Sequence, residues 1–375
     1  MMKKKILMSA AAVLISCTAM AQNNTFTVNG NVKKGLQDTV IVMHGRTNDT
    51  IIAKKGKFTF SKSFEKPAWI YIYNPRGSQK EYSFMHRVFA IPGQTIEIKG
   101  KEAKDSKIYG GKFYQDQEVY DEFIKKASAG KDSLNNWYYK NANDENRDSL
   151  NKIASAKYEV LQKKYMEDIT AFAKQNPDNA ACLFLLNEFR DLDEITNFAA
   201  NLSDNVRNGL LKGYYEDIIN SAKARKEREE LAKKVQAAGA EATDFTLKDI
   251  NGNDFKLSSL RGKYVVLDFW GSWCGWCIKG MPQMKEYYKK YEGKFEIVGV
   301  DCGDTEKRWR DAVAKHELPW IHVFNTKGDN DVTAKYAIQG YPTKIIVDPD
   351  GKIAKTIVGE SPDFYTFLDE VFGEK

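Results

Sequence analysis

The chain has 375 residues, 42% hydrophobic and 29% charged, with a formal net charge of +6. That length suggests about two to three domains; the large apolar content excludes a disordered chain, and the lack of long unbroken apolar runs excludes a membrane-embedded bundle. Five cysteines are too few for a disulfide-stapled scaffold, so a close cysteine pair is read for chemistry before it is read as a staple.

The N-terminus reads as an export signal over residues 1–21. Lys3, Lys4 and Lys5 form a basic start, an apolar run follows from Ile6 to about Cys17, and Ala19-Met20-Ala21 offers a small-x-small cleavage site before Gln22. The run is shorter than the about 20 residues a transmembrane helix needs. Leu14-Ile15-Ser16-Cys17 also resembles a bacterial lipobox, which would make Cys17 a lipidated first residue. Either route exports the protein: periplasmic after cleavage at Ala21, or anchored as a lipoprotein through Cys17. Removing three lysines and no acids leaves a charge of +3, too small for a nucleic-acid footprint.

Residues 22–111 read as a β-rich domain. Thr25–Val28, Thr39–Val42, Lys57–Ser61, Trp69–Tyr73, Phe89–Ile91 and Thr95–Ile98 are short alternating or β-branched runs. Their spacing of roughly 8–12 residues predicts a small antiparallel sandwich or barrel, with Pro92-Gly93-Gln94 as a hairpin turn. His44 and His86 stand alone and read as surface or satisfied histidines, because a metal site needs several converging ligands. Residues 112–236 read as helical. One pattern carries Phe113, Val119, Tyr120, Phe123 and Ile124; a longer one runs from about Ser149 to Lys174 and stops at Asn176-Pro177-Asp178. A further helix is expected through Cys182, Leu183, Leu185 and Leu186, and another from Leu202-Ser203-Asp204. Trp137-Tyr138-Tyr139 reads as helix packing, with a binding surface as the alternative. The mixed charges of Lys223–Lys234 read as a solvated helix face or linker.

From residue 237 to 375 strands and helices alternate, which predicts an α/β sheet with parallel pairs and helices on its faces. Phe245-Thr246-Leu247 precedes an Asn251-Gly252 turn. Tyr264–Trp270, Phe295–Val300 and Lys344–Asp348 read as buried strands, residues 306–316 and Phe364–Phe372 as helices.

The chemistry sits in Trp273-Cys274-Gly275-Trp276-Cys277. Two cysteines separated by two residues, directly after a buried strand and at a helix start, make a redox dithiol. Free N–H groups and the positive end of the helix dipole stabilise a thiolate there. Cys274, expected to be the more exposed, is the nucleophile that forms a mixed disulfide; Cys277, one turn in, resolves it. Zinc is the first structural alternative, but it needs two more ligands, and only Cys182, Cys302 and scattered histidines remain. A structural disulfide is the second, and so short a loop stabilises least of any closure. Asp268 lies six residues before Cys274 inside an apolar strand, where a carboxylate without a partner has a raised pKa.

Phe245-Thr246-Leu247, Leu257–Lys263, Leu267-Asp268-Phe269-Trp270 leading into the Trp-Cys-x-x-Cys, Gly340-Tyr341-Pro342-Thr343 and Val358-Gly359 together resemble the thioredoxin superfamily, in particular its exported TlpA/ResA-type branch. The resemblance covers about a third of the chain. The N-terminal β-rich region followed by helices is similar to extensions found before such domains in secreted homologues, through Phe89–Ile96. The resemblance implies a thioredoxin fold, thiol–disulfide oxidoreductase activity and no cofactor beyond the Cys274–Cys277 disulfide. Its implied partners are disulfide-containing proteins and a membrane electron donor; the extra regions offer surfaces for a homodimer. It implies that Pro342 is cis, exposing the backbone of Tyr341 to substrate, and that Asp268 takes the proton of Cys277, with a structural hydrogen-bonding role for Asp268 as the alternative. Trp273, Gly275 and Trp276 join Tyr341 and Pro342 as substrate-contacting positions. Trp276 departs from the family, which has proline there, and this leaves the direction of electron flow open. Cys302, at the end of a strand, reads as an inert small side chain, with a third redox role as the alternative. Two other functions compete. One is an extracytoplasmic binding or assembly protein with a secondary redox site. The other is a peroxidase, although the Pro-x-x-x-Thr-x-x-Cys string of peroxiredoxins does not precede Cys274.

Overall fold

The computed structural model describes residues 24–36, 38–75 and 84–373. The expected signal segment, with Cys17, lies outside the described residues. The chain forms two compact units that divide between Asn220 and Ser221.

The N-terminal unit opens with β1 (Thr25–Lys34), β2 (Thr39–His44), β3 (Thr47–Ile52), β4 (Lys57–Ser63), β5 (Ala68–Tyr73), β6 (Met85–Ala90), β7 (Thr95–Glu102) and β8 (Lys107–Tyr109). These make two four-stranded sheets, ordered β4-β1-β7-β8 and β3-β2-β5-β6. Neither sheet closes on itself, so the sandwich is realised and the barrel is not. Alternation sets the inner faces: Phe26, Val28, Val32, Val40, Val42, Ile70, Ile72, Ile96 and Ile98 are all buried. Gly30 lies opposite Phe58, whose ring occupies the space a Cβ would take; that ring then meets Phe84 edge-on at 6.0 Å. Two features depart from expectation. β1 and β7 are parallel in an otherwise antiparallel unit. Pro92-Gly93-Gln94 is a turn, with Gln94 N–H donating to Ile91 O at 3.1 Å, but not a hairpin: β6 pairs with β5 and β7 with β1, so the turn carries the chain from one sheet to the other.

Helices α1 (Lys112–Asn141), α2 (Arg147–Gln175), α3 (Leu192–Ala199), α4 (Asp204–Asn208) and α5 (Lys212–Val235) follow. Phe123 and Phe172 stack at 4.0 Å and tie α1 to α2. Ser203 caps α4, as its sequence predicts. The apolar segment Ala180–Glu188, expected as an α-helix, is a 3-10 helix. Its Phe184 packs on Trp69, Phe89 and Phe113, so the β-rich and helical stretches share one core. His44 and His86 are both partnered, by Asp49 and Ser106 respectively.

The C-terminal unit holds β9 (Thr246–Asp249), β10 (Asp254–Lys256), β11 (Tyr264–Trp270), α6 (Gly275–Lys290), β12 (Phe295–Asp301), α7 (Glu306–Lys315), β13 (Ile321–Phe324), α8 (Val332–Lys335), β14 (Thr343–Val347), β15 (Ile353–Val358) and α9 (Pro362–Phe372). The sheet order is β10-β9-β13-β12-β11-β14-β15, a thioredoxin-like arrangement. β11, β12 and β13 are parallel, while β14 runs antiparallel to β11. The expected 344–348 strand is β14, and the third parallel strand is β13, a run the sequence pattern did not single out. Each sheet face is covered. Val266, Trp270, Ile297 and Ile346 pack with Cys277, Met281 and Phe364, whereas Val265, Leu267, Phe269, Val298 and Val300 pack with Tyr336 on the other side. No helix among the described residues is long and apolar enough to cross a membrane.

Candidate active site

β11, an interior strand, ends at Trp270, and Gly271-Ser272-Trp273 turns the chain into α6. Cys274 is the N-cap of that helix, and its Sγ accepts the backbone N–H of Cys277 at 3.2 Å. This is the place where unpaired amides and the helix dipole favour negative charge. Cys274 and Cys277 are joined as a disulfide, with Cα atoms 5.3 Å apart. Both are buried, 6% and 4% exposed, so the expected difference in exposure is small. The exposed surface belongs to their neighbours: Trp273 is 49% and Trp276 64% exposed, with the Lys279 ammonium 4.9 Å from the Trp276 ring.

The Tyr341–Pro342 bond is cis. Tyr341 packs edge-on against Trp273 at 5.2 Å, which puts the proline loop beside the disulfide. Trp273, Gly275, Trp276, Tyr341 and Pro342 therefore gather around the cysteines.

Asp304 and Arg308, which the sequence reading did not single out, clamp the turn before Cys274. Asp304 accepts from Ser272 N–H at 2.6 Å and from its hydroxyl at 2.7 Å. Arg308 donates to the same hydroxyl at 3.1 Å. Trp273 Nε1 donates to Cys302 O at 3.0 Å. The available signal was position: residues 302–304 follow a buried parallel strand, where functional groups collect.

Asp268 is buried on β11, on the sheet face that α6 covers. Burial pushes its carboxyl above the usual range, the expected upward shift; Lys344, whose Nζ lies 3.8 Å away, opposes it and Glu360 adds to it. A lysine inside an apolar strand is the same kind of signal that singled out Asp268, and it went unread. Cys302 is buried, its Sγ 3.3 Å from Val300 O; burial pushes its thiol well above the usual range. Burial raises Cys182 to about 12. Neither is a ready thiolate. Among the described residues no group of three or more His, Cys, Asp or Glu side chains is placed to hold a metal ion.

The AhpC/TSA family model matches residues 238–356, and a domain of unknown function, DUF4369, matches residues 26–117. The thiol-disulfide oxidoreductase ResA of a Bacillus cereus strain is 37% identical over 123 residues, covering 32% of this chain and 70% of that protein. ResA of Bacillus subtilis (strain 168) is 34% identical over 122 residues, covering 32% of this chain and 67% of that protein. Among solved structures, the thioredoxin domain of a thiol-disulfide oxidoreductase from Bacteroides vulgatus is 34% identical, with a TM-score of 0.34, covering 36% of this chain and 98% of that one. At this identity and coverage of the ResA proteins, the chain belongs to the ResA family of thiol-disulfide oxidoreductases.

Proposed function

We propose that this enzyme works outside the cytoplasm and reduces disulfides of periplasmic proteins through Cys274 and Cys277. The observation that carries this reading is the placement of Cys274 Sγ at the N-terminus of α6, within hydrogen-bonding distance of the Cys277 amide and already joined to Cys277. In the reduced enzyme the Cys274 thiolate attacks one sulfur of the substrate disulfide. A mixed disulfide forms and one substrate thiolate leaves. Asp268 takes the proton of Cys277, whose thiolate attacks Cys274 Sγ; the second substrate thiol is released and the Cys274–Cys277 disulfide closes. Two electrons pass from the dithiol to the substrate, and a membrane dithiol donor restores them. Trp273 and Trp276 offer apolar surface to the substrate, and Tyr341 with Pro342 offers backbone.

Further parts of the reading concern the rest of the chain. Residues 1–21 act as a signal peptide, with lipidation at Cys17 as the competing route. Functionally the exported chain divides at about residues 111 and 237; the AhpC/TSA match starting at 238 supports the second boundary. The segments over 22–236 serve partner holding or homodimer formation. A binding or assembly protein is the second reading, favoured by the separate N-terminal unit ending at Asn220.

One assay separates the two. The chain from Gln22, supplied with dithiothreitol, should accelerate insulin reduction, and Cys274→Ser should return the rate to that of dithiothreitol alone. An equally active Cys274→Ser variant would remove the dithiol reading. A pair potential near roughly −270 mV marks a reductant, and one near roughly −120 mV an oxidant.

A further inference from the structure

Three charged side chains meet beneath α6. Asp268 on β11 lies directly opposite Lys344 on β14, so both point to the same face of the sheet. Val266 and Trp270 flank Asp268 on that face and pack with Cys277 and Met281. Asp268 is 5% and Lys344 1% exposed, and a lysine so deep has to be paired. Its Nζ is 3.0 Å from Glu360 Oε2, a hydrogen bond, and 3.8 Å from Asp268 Oδ1, which is not one. Asp268 Oδ1 has no hydrogen-bond partner among the described residues. Glu360 is held in turn by Tyr365 OH, which donates to Oε1 at 3.1 Å. Gly280 makes the space: a Cβ there would run into the Glu360 carboxylate. Gly280 stands three residues after Cys277, on the same side of α6. The carboxylate of Glu360 thus reaches in under the resolving cysteine from the segment between β15 and α9.

We propose that Glu360 is a positioning residue for the resolving step: by holding Lys344 it keeps the cation off Asp268 and leaves that carboxylate free to accept the proton of Cys277. Two acids share one lysine, and its hydrogen bond goes to Glu360 rather than to Asp268. The unsatisfied acid is the stronger proton acceptor, because a distant cation stabilises its ionised form less and a nearby like charge destabilises it. Lys344 and Glu360 act on Asp268 directly, Cys302 and Tyr365 feel its charge, Asp301 and His322 stand on the neighbouring strands β12 and β13, and Cys277 packs with the residues that flank it. Only Lys344 is a cation among them; burial holds His322 neutral, its pKa lowered to about 4. The inference rests on the proposed role of Asp268 as the acceptor for Cys277.

The test compares Glu360→Gln and Lys344→Met in the chain from Gln22. The carbon-13 carboxyl resonance of Asp268 in the reduced protein gives its titration midpoint without any substrate. The rate of release of a preformed mixed disulfide at Cys274, followed against pH, gives the kinetic midpoint. Glu360→Gln frees Lys344 for Asp268 and removes a like charge, so both midpoints should fall, by roughly one pH unit. Lys344→Met removes the cation, so both should rise by a similar amount. A merely structural role would lower unfolding temperatures without opposed shifts. An unmoved resonance in Glu360→Gln, or shifts of the same sign in both variants, overturns the proposal. A resonance that moves as expected while the release rate does not follow also overturns it, by removing Asp268 as the acceptor. Insulin reduction by the unsubstituted chain reports separately on the function itself. Glu360→Gln is nearly isosteric, so the test survives a poorly folding Lys344→Met.

Discussion

At the C-terminal end of β12 the Asp301 side chain is fully buried, and its carboxyl is pushed up to about 7, by burial first and by the neighbouring Asp304 next. An acid whose folded pKa lies above its unfolded value of about 3.9 holds its proton in the native state over that interval and loses it in the unfolded state. The native state binds more protons there, so the contribution of Asp301 to stability falls as pH rises from about 4 to 7 and stays low above it. His322 acts oppositely: lowered to about 4, it costs stability as pH falls below about 6.5. Comparing a variant with its parent separates the two. Asp301→Asn should be more stable than the parent at pH 8, by on the order of 3 kcal/mol, with the gain shrinking towards pH 5. Urea unfolding at the two pH values measures this; equal gains at both would show that Asp301 is not protonated in the native protein. Such residues are partly legible in a sequence. Asp268 stands out as a charge inside Val265–Trp270, and Lys344 and Asp301 carry the same mark. What one sequence does not show is which charges face each other, because that depends on β11 lying between β12 and β14.

Helix α6 shows what is legible at the level of elements. A buried strand followed by Trp-Cys-Gly-Trp-Cys marks a strand-to-helix junction, and Cys274 is indeed the cap. Long apolar runs such as β11 and β12 announce themselves. β3, β8 and β13 do not: β3 begins Thr-Asn-Asp-Thr, β8 has 3 residues and β13 has 4, too few to establish a period. The Ala180–Glu188 segment failed as an α-helix prediction for a different reason. Its buried residues run from Ala181 to Leu186 without a break, and a continuous apolar run carries no helical period to read. The capping geometry of α6 makes a chemical forecast. In the reduced protein, limiting iodoacetamide at pH 7 should label Cys274 well ahead of Cys277, because only Cys274 sits where the helix amides converge. Peptide mapping by mass spectrometry gives the ratio; preferential labelling of Cys277 would reverse the assignment of nucleophile and resolving cysteine.

For the whole molecule, composition and compactness mark different things. The shift from β to helical patterning near residue 111 is real, yet Phe184 joins Trp69, Phe89 and Phe113 in one aromatic core, so the two patterns share a unit. Contacts between residues distant in sequence decide this, and no local pattern contains them. The C-terminal unit is different, because its seven-stranded sheet is covered on both faces by its own side chains. A sheet with two covered faces meets the requirement for independent folding. The ResA relatives point the same way, since their similarity to this chain is confined to about a third of it. Residues from Ser221 to Lys375 expressed alone should therefore unfold cooperatively, with a stability of about 5–15 kcal/mol, and should keep most of the insulin-reducing rate of the chain from Gln22. Urea denaturation followed by tryptophan fluorescence, with the insulin assay beside it, tests both statements. A fragment without a cooperative transition would mean that the redox unit depends on the N-terminal one for its fold. A folded but inactive fragment would move part of the catalytic function into residues before Ser221.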